Sequence, residues 1–405
     1  MMVSPRFIKS ITANIAYWTT ESQDLRDETL PALDAERENI LHAVQVGLRL
    51  PQTFAATAEL ALQSFLLVER RGYWREWMPV LQQLIATEND DHLRLKFNLL
   101  KQLGELQRLD RQLQAAVESH QAALNSAQQL ADQEAVAQAK IGLSEDYRAL
   151  RQYSQAEQYA LMALEWFTSQ KAKRWLAVTL NTLGLIAQSR GEWVLSEQRL
   201  TRAVALWQQI EQPTELARSL NNLALTLQES GKFEEALRCY RDAATLLSQT
   251  ASELEKVKLQ ISLGTLYFGL KQWPKAEAAF KKANSDYLHN SGHLYYRALI
   301  AQNLGNVLLI QKRFNKAEGH LRYGIELWEQ VDDKLMLANS LGTLGQTLAG
   351  QGQAKEARRL LGQAISLLAP YSADNALARE LLDEFETERL MFGHKTMPQE
   401  YLLKK

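Results

Sequence analysis

The chain of 405 residues is 46% hydrophobic and 23% charged, with a formal net charge of −1. This near-neutral charge gives no electrostatic reason to expect direct nucleic-acid binding or an anionic membrane partner. The single cysteine excludes an intramolecular disulfide framework and a cysteine-rich zinc site. No run of about 18 apolar residues predicts a membrane span, and polar residues interrupt the N-terminal segment where a signal peptide would lie. We therefore expect a cytoplasmic protein without a membrane segment, metal or cofactor.

The N-terminal region predicts helices that do not follow a repeat. Residues 5–20 predict a first helix, and apolar residues such as Leu33 and Ile40 predict an amphipathic helix over about 31–50. Pro51 is expected to end that helix. We interpret this region as an N-terminal helical cap.

We place the end of the cap at residue 57, so that it covers residues 1–57. Residues 58–96 predict a degenerate helix hairpin after it. Gly72 is expected to form the turn of this hairpin, and Trp74 to fill the space beside the turn.

A motif then occurs seven times at intervals of 40 or 41 residues. Each copy has a leucine followed by a small residue: Leu103-Gly104, Leu143-Ser144, Leu183-Gly184, Leu223-Ala224, Leu263-Gly264, Leu304-Gly305 and Leu344-Gly345. Nine residues later comes a larger or apolar residue: Leu113, Tyr153, Trp193, Phe233, Trp273, Phe314 and Ala354. Two helices packed as a hairpin need small residues where their backbones approach, and large residues beside those contacts. The motif therefore predicts seven helix hairpins over residues 97–377.

Glycines mark the end of the first helix in several of these copies. Gly191, Gly231 and Gly352 stand where a left-handed cap would end the helix. Lys271 and Lys312 occupy that place in two other copies, so the turn does not require glycine.

The order of small and bulky residues resembles the tetratricopeptide repeat, most closely over residues 221–246. The period exceeds the usual 34 residues and is similar to the long repeats of kinesin light chains and bacterial peptide-sensing regulators. The resemblance implies an all-α fold, a right-handed superhelical solenoid of helix hairpins, that binds proteins or peptides. Apolar residues continue through the added positions, and we assign them to the core rather than to a cofactor site: Phe167, Trp207, Leu247, Tyr287, Trp328 and Leu368.

The C-terminal region predicts one more helix over residues 378–392. Leu381 and Phe385 lie on one side of it and acidic residues on the other, as expected for a helix that caps the last hairpin. Residues 393–405 are expected to form a flexible tail.

Two N-terminal segments carry a second resemblance. LDAERENILHAVQVGL and RRGYWREWMPVLQQLI are similar to the junction that precedes the helical-repeat arm of bacterial signal-transduction NTPases. The NTPase itself is not in this sequence, since the pair Gly231-Lys232 is followed by Phe233 and not by the Ser or Thr of a phosphate-binding loop. The resemblance implies a sensor arm separate from its NTPase.

No constellation of residues predicts catalysis or metal binding. His289 and His293 are four residues apart, but Asn290, Ser291 and Gly292 between them favour a loop. The remaining histidines, including His120, are interpreted as surface or packing residues, and Cys239 as a packing residue.

The resemblance also implies which residues face the concave groove of the solenoid. On this basis the candidate partner-binding residues are Asn181, Gln188, Arg218, Asn221, Gln228, Lys258, Phe268 and Gln302. Carboxamides both donate and accept hydrogen bonds, so a row of them could pair with the main chain of an extended peptide. Solvated groove residues without a binding role are the alternative. We interpret the pairs Glu105–Arg108 and Glu145–Arg148 as local salt bridges within a helix.

Two functions remain open from the sequence. The first is a scaffold that binds a protein or an extended peptide in its concave groove. The second is a sensor or regulatory arm of a signal-transduction NTPase or transcriptional regulator that acts in trans. The sequence offers no support for an enzyme.

Overall fold

The computed structural model describes residues 4–23, 29–87, 92–372 and 375–391, and every regular element in these ranges is a helix. The expected all-α class is therefore confirmed. The expected tail over 393–405 lies outside the described residues. None of the described helices combines the length and the hydropathy that a bilayer crossing needs.

The chain divides into two compact units, Met1–Leu259 and Gln260–Lys405. The first unit contains α1 (Pro5–Gln23), α2 (Leu30–Ala35), α3 (Arg37–Gly47), α4 (Phe54–Gln63), α5 (Phe65–Arg71), α6 (Trp74–Thr87), α7 (Leu93–Leu109), α8 (Leu113–Gln129), α9 (Gln133–Ala149), α10 (Tyr153–Ser169), α11 (Lys173–Ser189), α12 (Trp193–Ile210), α13 (Pro213–Glu229) and α14 (Phe233–Ser248). The helix α15 (Glu253–Gly269) includes the boundary.

The second unit continues with shorter and longer helices. They are α16 (Trp273–Ala283), α17 (Asp286–Asn290), α18 (Leu294–Ile310), α19 (Phe314–Val331), α20 (Lys334–Gly350), α21 (Ala354–Leu368) and α22 (Ala376–Met391). In this unit α18 packs against α19, and α20 packs against α21.

The prediction of a single helix over residues 31–50 was wrong. The helix expected over 31–50 is two helices, α2 and α3, that meet at Glu36. There the backbone leaves helical geometry with ψ at 7°, and the Glu36 carboxylate accepts a hydrogen bond of 2.7 Å from the Asn39 side chain. This local bond competes with helix continuation, and the apolar pattern gives no sign of it.

The turns inside the repeated hairpins have the predicted left-handed geometry. Their φ values lie between 57° and 83° at Arg111, Arg151, Gly191, Gly231, Lys271, Lys312 and Gly352. Lysine and arginine adopt this conformation at a modest cost, whereas glycine adopts it freely. The prediction that the turn does not demand glycine is confirmed.

The small residues of the motif mark close contacts between the two helices of a hairpin. A Cβ atom added to Gly184 would lie 2.6 Å from the Leu200 side chain, and one added to Gly305 would lie 2.5 Å from Leu321. At the added positions Phe167, Trp207 and Trp328 are buried core residues, as expected, whereas Tyr287 is only half-buried. Packing therefore accounts for both features of the motif.

The fifth repeat departs from the expected long second helix. The helix α16 ends at Ala283 and a short helix, α17, follows after Ser285. His289 and Asn290 end the short helix α17, and the loop expected between the two histidines is present as a turn at Ser291 and Gly292. His293 is buried, and its Nε2 lies 2.7 Å from the Tyr287 hydroxyl. Hydrogen bonding within the protein therefore accounts for His293.

The helix α22 packs onto the last hairpin, mainly against α21, and two side-chain contacts join it to α20. The Phe385 ring is buried against Gly342, where an added Cβ would lie 2.0 Å from the ring. The Gln346 side chain donates hydrogen bonds to Glu384 and Glu388, at 2.8 and 2.9 Å. A bare backbone at Gly342 is therefore necessary for this packing.

We expect G342A to destabilise the second unit, because the methyl group must displace the Phe385 ring. Overpacking of this kind costs about 1–3 kcal/mol, and the melting temperature measured by circular dichroism should fall by several degrees. The matched control is G319A, where an added Cβ meets nothing within 4 Å. Alanine favours helix there, so G319A should leave the melting temperature unchanged or raise it slightly. Equal behaviour of both variants would contradict the described packing.

The stability of the second unit should also depend on pH through Glu388. Burial raises the pKa of Glu388 to about 7, although the Gln346 hydrogen bond opposes this rise. Because its folded pKa lies above its ordinary value of 4.5, ionisation destabilises the fold, and stability is lost as the pH rises through 7.

We expect E388Q to be more stable than the wild type at pH 8, by up to about 3 kcal/mol, and to differ little at pH 5. Urea unfolding at both pH values measures this difference. E386Q, which alters an exposed glutamate on the same helix, is the control and should follow the wild type. A wild-type stability that does not change between pH 5 and 8 would contradict the assignment.

Candidate partner-binding face

The first helices of the repeats contact one another through polar side chains about one repeat apart. The contacts in residues 1–259 include Lys101–Gln138, Arg108–Glu145, Thr182–Glu145, Asn222–Asn181 and Arg218–Glu255. Together they join α7, α9, α11, α13 and the start of α15. We call this surface the first-helix face.

Three of the four candidate carboxamides on this face are bonded within the protein. Asn181 Oδ1 accepts from the Ser219 hydroxyl at 3.2 Å and the Asn222 amide at 3.1 Å. The Gln188 amide donates to the Thr226 hydroxyl at 3.1 Å. Gln228 Oε1 accepts from the Tyr240 hydroxyl at 3.3 Å. These bonds correct the expectation of a row of carboxamides that all face a partner.

Asn221 differs from the other three carboxamides. Its side chain is 7% exposed, and its Oδ1 has no hydrogen-bond partner among the described residues. A buried amide oxygen left in this state costs about 1–3 kcal/mol. An unsatisfied acceptor at a position that sequence analysis had selected makes Asn221 the strongest candidate for contact with a ligand.

The basic candidates Arg218 and Lys258 are both paired with the same acid. Glu255 is 4% exposed and accepts from Arg218 Nε at 3.1 Å and from Lys258 Nζ at 2.9 Å. Arg218 also donates to Glu215 at 3.0 Å. Burial alone would raise the pKa of Glu255, but Lys258 and Arg218 outweigh it and lower the pKa to about 2. The two cations are therefore largely neutralised by the protein itself.

The helix α5 adds charges to the same surface. Glu69 is half-buried and interacts electrostatically with Arg218, Glu105 and Glu215. Burial raises the pKa of Glu69 to about 7, and Glu105 and Glu215 contribute to the rise. Ala251, which immediately precedes α15, packs against the N-terminal apolar core, consistent with this proximity. Periodicity could not predict this contribution, because α5 precedes the repeats.

Arg108, which was expected to pair with Glu105 on its own helix, instead contacts the next first helix. Arg108 Nη2 lies 2.7 Å from Glu145 on the next first helix, and Arg108 Nε lies 3.4 Å from Asp146. Burial would raise the pKa of Glu145, but Arg108 and Arg148 lower it. The expectation of an Glu105–Arg108 pair is therefore corrected.

In the second unit the candidate Gln302 is a core residue. It is 2% exposed, and its Oε1 accepts from the Trp328 indole and the Ser340 hydroxyl, each at 3.0 Å. This burial corrects its assignment to the groove. Phe268 is half-buried, with its ring edge against Trp273.

Sequence analysis missed two asparagines of the helix α18. Asn303 Nδ2 and Asn306 Oδ1 are both buried without a hydrogen-bond partner in the described part of the chain. They lie about one helical turn apart. Their spacing is visible in the sequence, but their lack of partners is visible only in the structure.

The titratable groups of the described residues do not form a metal site. No group of three His, Cys, Asp or Glu side chains in these ranges is placed to hold a metal ion. Burial raises the pKa of the Cys239 thiol, which disfavours the thiolate needed for a metal ligand or a nucleophile.

The repeated hairpins and the first-helix face that they form are those of a helical-repeat protein. The family model of the tetratricopeptide repeat matches residues 175–249 and 296–369. These two segments therefore match the tetratricopeptide repeat that the sequence pattern resembles. No protein with a curated description matches the sequence.

Several solved structures share this fold at low sequence identity. A Rap protein complexed with Competence and Sporulation Factor has 14% identity and a TM-score of 0.55, over 95% of this chain and 99% of that one. NprR in complex with its cognate peptide NprX has 14% identity and a TM-score of 0.51, over 73% and 86%. A STAND protein with a tetratricopeptide repeat sensor from Pyrococcus horikoshii has 16% identity and a TM-score of 0.52, over 86% and 55%. At these identities the likeness concerns the fold.

We expect E255Q to destabilise the first unit by about 2 kcal/mol, because Arg218 and Lys258 lose their shared buried acceptor. The folded pKa of Glu255, about 2, lies below its ordinary 4.5. Its contribution is therefore complete above about pH 5 and is lost as the pH falls toward 2.

Urea unfolding of E255Q and the wild type at pH 7 and pH 4 measures this contribution, and the gap should be smaller at pH 4. The control is E253Q, which removes the more exposed Glu253–Lys256 pair on the same helix and should cost less than about 1 kcal/mol. A loss no larger than that of the control would contradict the role of Glu255.

Proposed function

We propose that this protein binds an extended segment of a partner protein, or a peptide, along the first-helix face. The observation on which this proposal rests is the Asn221 carboxamide, which is buried on this face with an unused acceptor. An extended main chain presents N–H groups at regular intervals, and one of them could satisfy Asn221 Oδ1 whatever the side chains of the partner. Binding of this kind tolerates variation in partner sequence.

Two structures with a similar fold support this class of ligand. The Rap protein is described as a complex with Competence and Sporulation Factor, and NprR as a complex with its cognate peptide NprX. Their identity to this chain is 14% in both cases, so the extension of peptide binding to this chain is a proposal.

The charges of the face favour a partner segment with a basic side chain. Glu69 and Glu105 are half-buried, and their carboxylates have no hydrogen bond and no ion pair within 4 Å among the described residues. Glu145 and Glu255, in contrast, are paired with cations of the protein. A lysine or arginine of the partner would neutralise the unpaired carboxylates and lower the pKa of Glu69.

The second candidate function is a sensor arm for a separate NTPase. The likeness to the STAND protein and the N-terminal segments that resemble an NTPase junction favour it. Both functions require a ligand on the repeats, so they differ in the effector and not in the face. An NTPase reading frame adjacent to the gene for this chain would favour the sensor arm.

We test peptide binding by selecting peptides from a random-sequence phage library on the immobilised full chain. Synthetic copies are then measured by fluorescence anisotropy. We expect N221A to weaken binding about 5- to 20-fold, as the loss of a buried hydrogen bond predicts, and the selected peptides to be enriched in lysine or arginine. The matched control is N125A on α8, an exposed asparagine away from this face, which should bind like the wild type. Equal affinity of N221A and N125A, or no selected peptide, would overturn the proposal.

A further inference from the structure

A histidine occupies a core position that the third and sixth hairpins fill with a leucine. His120 of α8 is fully buried, and its ring lies between Gly104 of α7 and Gly142 of α9. Added Cβ atoms would lie 2.6 and 2.4 Å from that ring. In later hairpins the side chain over the corresponding glycine is Leu200 or Leu321. Packing therefore does not require a titratable group at this position.

His120 begins a chain of ionisable groups that ends on the first-helix face. Its Nδ1 lies 2.5 Å from Asp146 Oδ2, and both side chains are 0% exposed. The other Asp146 oxygen lies 3.4 Å from Arg108 Nε, and Arg108 Nη2 lies 2.7 Å from Glu145. Glu145 also accepts from the Thr182 hydroxyl at 3.2 Å. The chain thus joins α8 to α7, α9 and α11.

The charge balance of this chain depends on one proton. With a neutral imidazole, the Nδ1–H donates to Asp146, and Asp146 and Glu145 share the single positive charge of Arg108. With a protonated imidazole, Asp146 has its own cation, and Arg108 is released to pair with Glu145. Charges interact strongly in such poorly solvated surroundings, and histidine is the side chain that changes its charge near neutral pH.

One neighbouring group also titrates in this pH range, because burial raises the pKa of Glu69 to about 7, so part of the pH response of Arg108 does not depend on His120. Arg148 of α9 acts on Glu145, and Glu105 of α7 and Glu69 of α5 act on Arg108. These groups lie toward the first-helix face, whereas His120 Nε2 is buried with no hydrogen-bond partner among the described residues. A proton added at Nε2 therefore affects the face through Asp146 and Arg108.

We propose that the chain His120–Asp146–Arg108–Glu145 is a proton-sensitive support of the first-helix face. Protonation of His120 shifts Arg108 from Asp146 toward Glu145 and removes one net negative charge from this group of residues. The affinity for a basic partner segment therefore falls as the pH is lowered. This consequence for binding rests on the proposed function, whereas the proton-dependent shift of Arg108 does not.

The first test needs no ligand. In the full chain labelled with ¹⁵N at histidine and arginine, NMR spectra between pH 5 and 8 follow the imidazole of His120 and the Nε–H of Arg108. H120Q is the decisive variant, since glutamine keeps a hydrogen-bond donor for Asp146 but does not titrate. We expect the Arg108 signal to change with pH in the wild type and to change less in H120Q, where only the contribution of Glu69 remains.

Two further variants keep the test independent of folding defects. H120L places in α8 the leucine that other hairpins use, and D146N removes the charge between His120 and Arg108 while keeping its shape. Both should reduce the pH response of Arg108 to the level of H120Q, and H42Q, at an exposed histidine, should retain the full response. An imidazole of His120 that does not titrate between pH 5 and 8, or an Arg108 signal with the same pH profile in H120Q, would overturn the proposal.

The second test measures binding of a selected basic peptide at pH 5.5 and 7.5. The dissociation constant of the wild type should rise about three- to tenfold at the lower pH, as expected for the loss of one nearby charge. H120Q and D146N should show a smaller rise, and a rise equal to that of the wild type would contradict the link to binding. If no peptide is selected, the proposed function fails, but the NMR test still decides whether Arg108 shifts when His120 is protonated.

Discussion

Two helices of one hairpin can approach closely only where one of them has a small side chain or none between the backbones. Gly184 beneath Leu200 and Gly305 beneath Leu321 meet this condition in different parts of the chain. The left-handed turn before each second helix then directs the chain back onto the same contact. Because both features return every 40 or 41 residues, successive first helices occupy equivalent positions. The polar contacts of the first-helix face follow from that equivalence.

The sequence was informative where the physical cause is local and repeated. Three features could be predicted because the same residue types recur at the same positions of several repeats. They are the glycines of the motif, the turn at Lys271 and the buried aromatic residues. The predictions failed where one residue acts once. Glu36 interrupts a helix through its bond to Asn39, and the second helix of the fifth repeat ends at Ala283. Neither event has a second copy in the chain from which it could be recognised.

The positions of the candidate residues could be predicted from the sequence, but not which of their side chains are hydrogen-bonded within the protein. Asn181 and Asn221 are one repeat apart, so the period places them equivalently. Asn181 is satisfied because Ser219 and Asn222 donate to it. One repeat after Ser219 the residue is Leu259, which is buried and has no side-chain donor. The difference between a structural asparagine and an unsatisfied one therefore depends on the following repeat. The charges of α5 were beyond prediction, because no period relates Glu69 to Arg218.

The near-neutral net charge of the chain conceals how this face is organised. Arg108, Arg218 and Lys258 each form ion pairs with acids of the same face, so their charges are neutralised within the protein. Buried pairs of this kind add little net stability, because desolvation offsets their attraction. They do remove the cations as competitors for a ligand. The groups of this face left without an internal partner among the described residues include the carboxylates of Glu69 and Glu105 and the carboxamide oxygen of Asn221, and the proposed binding depends on them. The bulk charge of −1 gives no reason to expect an anionic partner, and the proposal of a basic partner segment depends instead on which groups of the face are left unpaired.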